Sequence, residues 1–205
     1  MLWVLVVQTV SKVGLRLNFA VTRMTTFLVA MTDEERGDDP VALIRRLPKN
    51  CILIFRHYTI PARRQLAGEV VRACRRRGVR CLIAGDIALA RQHKADGVHF
   101  PEYQLRRLPV RRFMPTGWIT TAAAHSQKSI RLVDRLGLTA ALLSPVFPSA
   151  SHPAGRALGI LRFATICHRT NVPVIALGGV DAGQLNRLRK AGASGVAGIS
   201  LFYKQ

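Results

Sequence analysis

The chain has 205 residues, and its 31 Lys and Arg against 11 Asp and Glu give a formal net charge of +20. Apolar residues make up 49% of the sequence, which excludes wholesale disorder and predicts a packed core in one domain. The cationic residues are scattered along most of the chain, so we interpret them as a solvated exterior. No recognised nucleic-acid motif is present, and nucleic acid is therefore the least favoured partner.

The first 24 residues differ in composition from the rest of the chain. They begin with an apolar run, 2–7, and contain three cationic residues and no acid. The apolar run is too short to span a bilayer, and no cationic region precedes it as in a signal peptide. Segment 1–24 is therefore either an N-terminal extension ahead of a true start at Met24 or a helix that caps the bottom of the domain. The domain itself comprises 25–205.

Four cysteines occur, and no two of them have the spacing of a CxxC or zinc motif: Cys51, Cys74, Cys81 and Cys167. Three of them lie in or beside apolar runs. Reduced, buried thiols are typical of a cytoplasmic protein. Because no segment is long and apolar enough to cross a bilayer, we expect a cytoplasmic chain without a membrane partner.

Short apolar runs alternate with amphipathic stretches from residue 25 onward. Eight apolar runs are predicted as strands, at 26–33, 51–58, 79–84, 97–100, 117–121, 139–144, 173–177 and 195–199. Helices are predicted near 40–47, 61–77, 87–93 and 127–136. The longest connection is 145–158, after the sixth strand. The runs are continuously apolar, as are parallel strands that are covered on both faces.

Regular alternation of strand and helix predicts a parallel sheet. Eight units of about 23 residues favour a closed barrel over a doubly wound sheet, which is the alternative. We therefore predict an α/β fold, a compact (β/α)8 TIM barrel. Its eighth helix is very short or missing, because only 201–205 follow the last strand.

A glycine pair, Gly178 and Gly179, stands between the seventh strand and the next helix. Glycine lets backbone N–H groups approach an anion closely, and a helix N-terminus adds a favourable dipole. One unit later, Gly198, Ile199 and Ser200 repeat the arrangement, and barrels of this class usually bind phosphate after strands seven and eight. We therefore predict phosphate binding at Gly178, Gly179, Ile199 and Ser200. The alternative is that the glycine pair only makes a tight turn.

Four segments resemble, in order, signatures of the thiamine phosphate synthase/TenI family: ADGVHFPE, SPVFPSASH, VIALGGV and AGASGVAGIS. The resemblance covers roughly 26–202 and implies a TIM barrel in thiamine biosynthesis. Synthase members are transferases that join an aminopyrimidine pyrophosphate to a thiazole phosphate with magnesium, which implies a small phosphorylated heterocycle as substrate. TenI members imply the alternative, a thiazole tautomerase of the isomerase class or a non-catalytic relative that binds thiazole phosphate. The resemblance leaves open whether the chain forms a homo-oligomer.

The resemblance also assigns roles to particular residues. It places the thiazole phosphate on the four residues of the predicted phosphate site. It places the loop that covers the reacting groups on Ser149, Ser151 and His152, with a histidine where the family has a lysine. Of the family's pyrophosphate-binding motif on strand two, only Arg56 is kept.

Three histidines receive separate interpretations. His125 matches the histidine that is proposed as the acid/base of TenI-type tautomerases, and an imidazole suits proton transfer near neutral pH. The alternative for His125 is a structural role at the end of the fifth strand. We also expect His57 to face the ligand and His99 to be structural, in a tight turn.

Magnesium is the one cofactor that the resemblance implies. The family's Asn-Asp pair falls on Ala84 and Gly85, and its next Asp falls on Gln104, so these positions carry no carboxylate. Magnesium prefers oxygen ligands, carboxylates above all, and Asp86, together with Glu102, is the candidate that remains. The alternative is that Asp86 caps the following helix.

Overall fold

The computed structural model describes residues 27–37, 39–107, 114–148 and 157–198. Eight parallel strands form a closed barrel in chain order, with β1 paired to both β2 and β8. The strands are β1 Phe27–Met31, β2 Ile52–Phe55, β3 Arg80–Ala84, β4 Gly97–Phe100, β5 Ile119–Ala124, β6 Ala140–Leu143, β7 Val174–Leu177 and β8 Gly195–Gly198. The predicted (β/α)8 barrel is confirmed, and closure excludes the doubly wound alternative.

Six α-helices connect the strands within the described ranges. They are α1 Pro40–Arg46, α2 Arg63–Arg77, α3 Ile87–Gln92, α4 Gln127–Arg135, α5 Gly159–Cys167 and α6 Leu185–Lys190. After β4 the described chain forms a 3₁₀ segment, Glu102–Arg107. None of the helices in these ranges is long and apolar enough to cross a membrane. The predicted short eighth helix and segment 1–24 lie outside the described residues.

Helix α2 shows how the sequence sets an element's ends. It begins at Arg63, two residues later than the proline-based prediction, and it ends where Gly78 adopts a left-handed conformation with φ +73°. The Gly78 N–H donates to the carbonyls of Arg75 and Cys74, which closes the last turn. Cationic side chains fill that turn and complement the helix dipole.

The core has two layers because each strand is covered on both sides. One set of alternate side chains fills the barrel interior: Val29, Met31, Ile52, Ile54, Leu82, Ala84, Ala140, Leu142, Ile175 and Ala197. The other set, including Leu53, Phe55 and Ile83, packs against the helices. This double burial explains why the strands read as continuous apolar runs.

The cysteines belong to this outer layer. Cys51, Cys74 and Cys81 are buried, Cys167 is partly buried, and all four thiols are free. Burial raises the pKa of the Cys51 thiol to about 12, so it stays protonated at neutral pH. The prediction of mostly buried thiols is confirmed.

Candidate active site

The carboxyl ends of all eight parallel strands meet at one end of the barrel, which we call the mouth. Polar residues or glycines follow six of these strand ends: Asp33, Arg56, Asp86, Glu102, His125 and the pair Gly178–Gly179. The structure therefore brings the predicted residues Arg56, Asp86 and His125 and the glycine pair to a common rim. The other predicted residues lie outside the described ranges: Ser149, Ser151, His152, Ile199 and Ser200.

The glycine pair after β7 is packed tightly against the loop after β6. Gly178 and Gly179 have φ of +90° and +63°, and a Cβ on Gly179 would lie 2.3 Å from the carbonyl oxygen of Pro148. The loop is hydrogen-bonded to the same turn, because the Phe147 N–H donates to the Gly178 carbonyl at 3.0 Å. Both conformation and space therefore require glycine at Gly179.

The same turn presents backbone donors. Among the described residues, the N–H groups of Gly179 and Val180 have no hydrogen-bond acceptor. The start of the next helical segment is already capped, since the Asp181 carboxylate accepts the Gly183 N–H at 2.8 Å. Asp181 therefore already accepts an N–H group that the helix N-terminus was expected to offer to an anion. The donors that remain for an anion are the N–H groups of Gly179 and Val180.

Arg56 is held at the mouth by a carboxylate. Its guanidinium lies 3.0 Å from Asp33, and Arg36 lies 3.8 Å from the same carboxylate. The Arg56 backbone N–H donates to the hydroxyl of Thr32 at 2.9 Å, which fixes the strand end. About a third of the side chain is exposed, at 31%, so an incoming anion can reach the guanidinium.

His57 is placed differently from our expectation. Strand alternation puts its side chain beside Phe55, and the two rings stack with centroids 4.9 Å apart. Its Nδ1 lies 2.9 Å from the Thr32 hydroxyl, and the residue is buried. Burial lowers the pKa of His57. The imidazole therefore packs on the helix-facing side of β2, whereas Arg56, one residue earlier, faces the mouth.

His99 is structural, as expected, but it lies within β4 and not in a turn. Its Nδ1 is 2.9 Å from the Thr121 hydroxyl on β5, inside the barrel. Burial lowers the pKa of His99 to about 3, and the nearby charge of Arg56 adds to that effect. The ring is therefore neutral at physiological pH.

Asp86 is occupied by two partners. One carboxylate oxygen accepts the Leu89 N–H at 2.8 Å, which caps α3, and the other lies 3.1 Å from the Arg63 guanidinium. Arg63 also donates to the Ala84 carbonyl at 2.7 Å and to the His57 carbonyl. Arg63, which was not predicted as a site residue from the sequence, ties the ends of β2 and β3 together.

The positions that carry magnesium ligands in the family contain no carboxylate here. Gly85 has φ +73°, and a Cβ there would lie 3.3 Å from the Tyr58 ring. The Gln104 amide donates to the Gly85 carbonyl at 3.2 Å. No group of three His, Cys, Asp or Glu side chains within the described ranges is placed to hold a metal. Asp86 is already engaged by Arg63 and by the start of α3, so magnesium at Asp86 remains a prediction that these contacts do not favour.

His125 and Glu102 form a pair across neighbouring strand ends. The Nδ1 of His125 contacts a carboxylate oxygen of Glu102, and the side chains are 55% and 34% exposed. The backbone of His125 is fixed because its N–H donates to the Ser129 hydroxyl at 3.2 Å, beside the capping box that starts α4. The arrangement is an accessible, oriented imidazole, which is what proton transfer at the mouth requires.

Three pairs at the mouth share one sequence spacing. Asp33 and Arg56, Arg63 and Asp86, and Glu102 and His125 are each 23 residues apart. This separation is close to the average length of a βα unit, and each pair joins neighbouring units.

A closed parallel barrel with its polar residues at the carboxyl ends of the strands defines the TIM-barrel class, and the candidate site lies where that class carries its active sites. Within this class the chain belongs to the thiamine monophosphate synthase family, TMP-TENI, whose model matches residues 28–202.

Individual relatives agree with this assignment. The chain is 38% identical over 117 residues to "Putative thiamine-phosphate synthase 2" of Aquifex aeolicus, covering 57% of this chain and 61% of the relative. It is 30% identical over 140 residues to "Thiamine-phosphate synthase" of Methanocella arvoryzae, covering 68% of this chain and 66% of the relative. The matched regions thus span less than two thirds of either relative.

A solved structure has the same fold. The thiamine phosphate pyrophosphorylase of Pyrococcus furiosus superposes with a TM-score of 0.69, at 18% identity, over 87% of this chain and 88% of that one. At this identity the similarity establishes the barrel architecture alone.

Proposed function

We propose that this chain catalyses the thiamine-phosphate synthase reaction on a thiazole phosphate bound at the turn after β7. The observation that carries the proposal is the backbone of Gly179 and Val180, whose N–H groups have no acceptor among the described residues, in a chain of this family. Backbone N–H groups at such a turn are suited to phosphate oxygens. The ligand is therefore a small phosphorylated heterocycle.

In this reaction the carbon–oxygen bond between the aminopyrimidine and its pyrophosphate breaks, and the oxygen keeps the electron pair. The thiazole nitrogen supplies its lone pair to the same carbon, so a carbon–nitrogen bond forms and pyrophosphate leaves. Arg56 would hold the departing pyrophosphate by exchanging Asp33 for phosphate oxygens. Arg56 is an accessible cation at the mouth, and we assign it the positive charge that stabilises the leaving group.

The test is turnover of the purified full chain with both substrates, with thiamine phosphate measured by mass spectrometry in magnesium and in EDTA. We expect product from the wild type and a loss of roughly 10²–10³-fold in kcat/KM for Arg56→Gln. Arg64→Gln is the matched control, since Arg64 is exposed on α2 and contacts Gln92. Absence of product above background in both buffers would overturn the synthase assignment.

The contact between His125 and Glu102 favours a second candidate, thiazole phosphate tautomerisation. That reaction needs a phosphate site and one acid/base group but no metal. His125→Ala should reduce isomerisation, followed by NMR, by roughly 10²–10⁴-fold while thiazole phosphate binding persists in calorimetry. If a folded His125→Ala variant loses binding instead, His125 is a binding residue and the assigned role is wrong.

A further inference from the structure

We infer that Glu102 is a positioning residue that holds His125 with a proton on Nδ1, so that Nε2 is the ring nitrogen that exchanges a proton with the ligand. The role of this His125 tautomer in catalysis rests on the tautomerase candidate above. The juxtaposition of Glu102 with Nδ1 of His125 carries it.

The donor and acceptor chemistry of the pair determines the tautomer. A neutral imidazole has one N–H donor and one acceptor nitrogen, whereas an ionised carboxylate only accepts. Because Glu102 contacts Nδ1, this nitrogen must donate, and the lone pair of a neutral ring is left on Nε2. No other described side chain contacts a ring nitrogen of His125, so Glu102 alone selects the tautomer.

The fold holds both partners in place. Glu102 begins the 3₁₀ segment that follows β4, and His125 directly follows β5. These two strands are paired in register, with Phe100 opposite Ala122. The His125 backbone is tied to Ser129, so the ring is presented from a fixed strand end. A carboxylate that orients a histidine in this way lowers the cost of bringing Nε2 to a reacting atom.

Alternation along β5 directs the ring toward the mouth. Ile119 packs in the barrel interior, and Thr121 faces His99 there. His125 has the same parity as both, so its side chain lies on the axis side of the strand end. With Nδ1 turned to Glu102 and more than half of the side chain exposed, Nε2 is the nitrogen open to a ligand.

The experiment is ¹⁵N NMR of the full chain labelled at histidine nitrogens, with the His125 signals assigned by their loss in His125→Gln. We expect the Nδ1–H tautomer in the wild type and in Glu102→Gln, whose amide oxygen still accepts a hydrogen bond. Glu102→Ala should shift His125 toward the Nε2–H tautomer. Glu69→Ala, on α2, is the control and should resemble the wild type. An Nε2–H ring in the wild type, or no change in Glu102→Ala, would overturn the inference.

Kinetics separate this inference from the proposed function. Glu102→Ala should lower kcat for isomerisation by about 10–100-fold, by analogy with residues that orient metal-bound histidines, with KM for the thiazole phosphate unchanged and partial recovery in Glu102→Gln. A wild type that shows the Nδ1–H tautomer but no isomerisation would refute the tautomerase candidate and leave the positioning role intact. A rise in KM with kcat unchanged would make Glu102 a binding residue.

Discussion

His99 shows how one buried side chain makes folding sensitive to pH. Burial lowers the pKa of its imidazole to about 3, from 6.5 in the unfolded chain. The unfolded chain therefore takes up a proton as the pH falls below about 6.5, whereas the folded chain does not until about pH 3. The neutral His99 ring makes its full contribution to the free energy of unfolding above about pH 6.5. This contribution is lost progressively as the pH falls toward 3.

We expect the free energy of unfolding of the wild type, measured in urea between pH 7 and 5, to fall as the pH is lowered. His99 should contribute a slope of up to about 1.4 kcal/mol per pH unit, and His99→Gln should lack this contribution. Thr121→Val is the control, because it removes the hydrogen bond but keeps the buried imidazole. Equal slopes for His99→Gln and the wild type would contradict the assignment.

At the scale of elements, the loop after β6 and the turn after β7 form one packed unit. The Val146 and Phe147 N–H groups donate to the carbonyls of Leu177 and Gly178, both at 3.0 Å. The Pro148 carbonyl occupies the space where a side chain on Gly179 would begin. The phosphate-binding turn of the proposal therefore depends on the neighbouring loop for its shape.

Gly179→Ala should destabilise the fold by about 2–4 kcal/mol, because left-handed backbone strain adds to overpacking against Pro148. Gly117→Ala separates the two causes, since Gly117 has φ +84° but a Cβ at this position would have no atom within 4 Å. We expect Gly117→Ala to lower the free energy of unfolding by about 1–2 kcal/mol, which is the cost of the backbone strain alone. Urea unfolding measures both variants, and equal losses would show that the loop yields to the added methyl group.

The elements themselves were largely predictable, and the exceptions have physical reasons. The strand Gly97–Phe100 has the predicted bounds, whereas the fifth strand begins two residues later than predicted, at Ile119, because Gly117 lies in a left-handed turn. Its end, Ala122–Ala124, carries no β-branched residue and gave no strand signal. Helix α5 was not predicted, because the glycines and prolines before it are typical of a loop.

The candidate site was predictable one residue at a time but not in pairs. Arg56 and His125 follow apolar runs, so strand ends alone located them at the mouth. Their partners Asp33 and Glu102 follow the preceding strands, and the side-chain contacts depend on the register of the paired strands, which sequence position does not give. We predicted that His57 faces the ligand because sequence position does not say which side of a strand faces the barrel axis.

At the scale of the whole molecule, the net charge of +20 opposes folding through self-repulsion. Only a few cations find carboxylate partners in the described part of the chain, such as Arg56, Arg63 and Arg80. Added salt screens the repulsion between the others, because the Debye length shortens from ~30 Å at 0.01 M to ~8 Å at 0.15 M.

We therefore expect the melting temperature, measured by calorimetry, to rise with NaCl over that range. At ~0.15 M salt we expect no binding to duplex DNA, since the cations are scattered along most of the sequence. A melting temperature that falls with salt would mean that attractive pairs dominate the electrostatics. Tight DNA binding with a steep salt slope would contradict our interpretation of the charge as a solvated exterior.

The contacts around Arg63, Gly85 and Gln104 oppose carboxylates at the two positions that carry them in the family. An aspartate at Gly85 would need a left-handed backbone and room that the Tyr58 ring occupies. An aspartate at Gln104 would lose the hydrogen bond to the Gly85 carbonyl, and Asp86 would still be held by Arg63. A cluster of carboxylates here would therefore require the Gly85 turn, the Tyr58 ring and the Arg63 ion pair to change together.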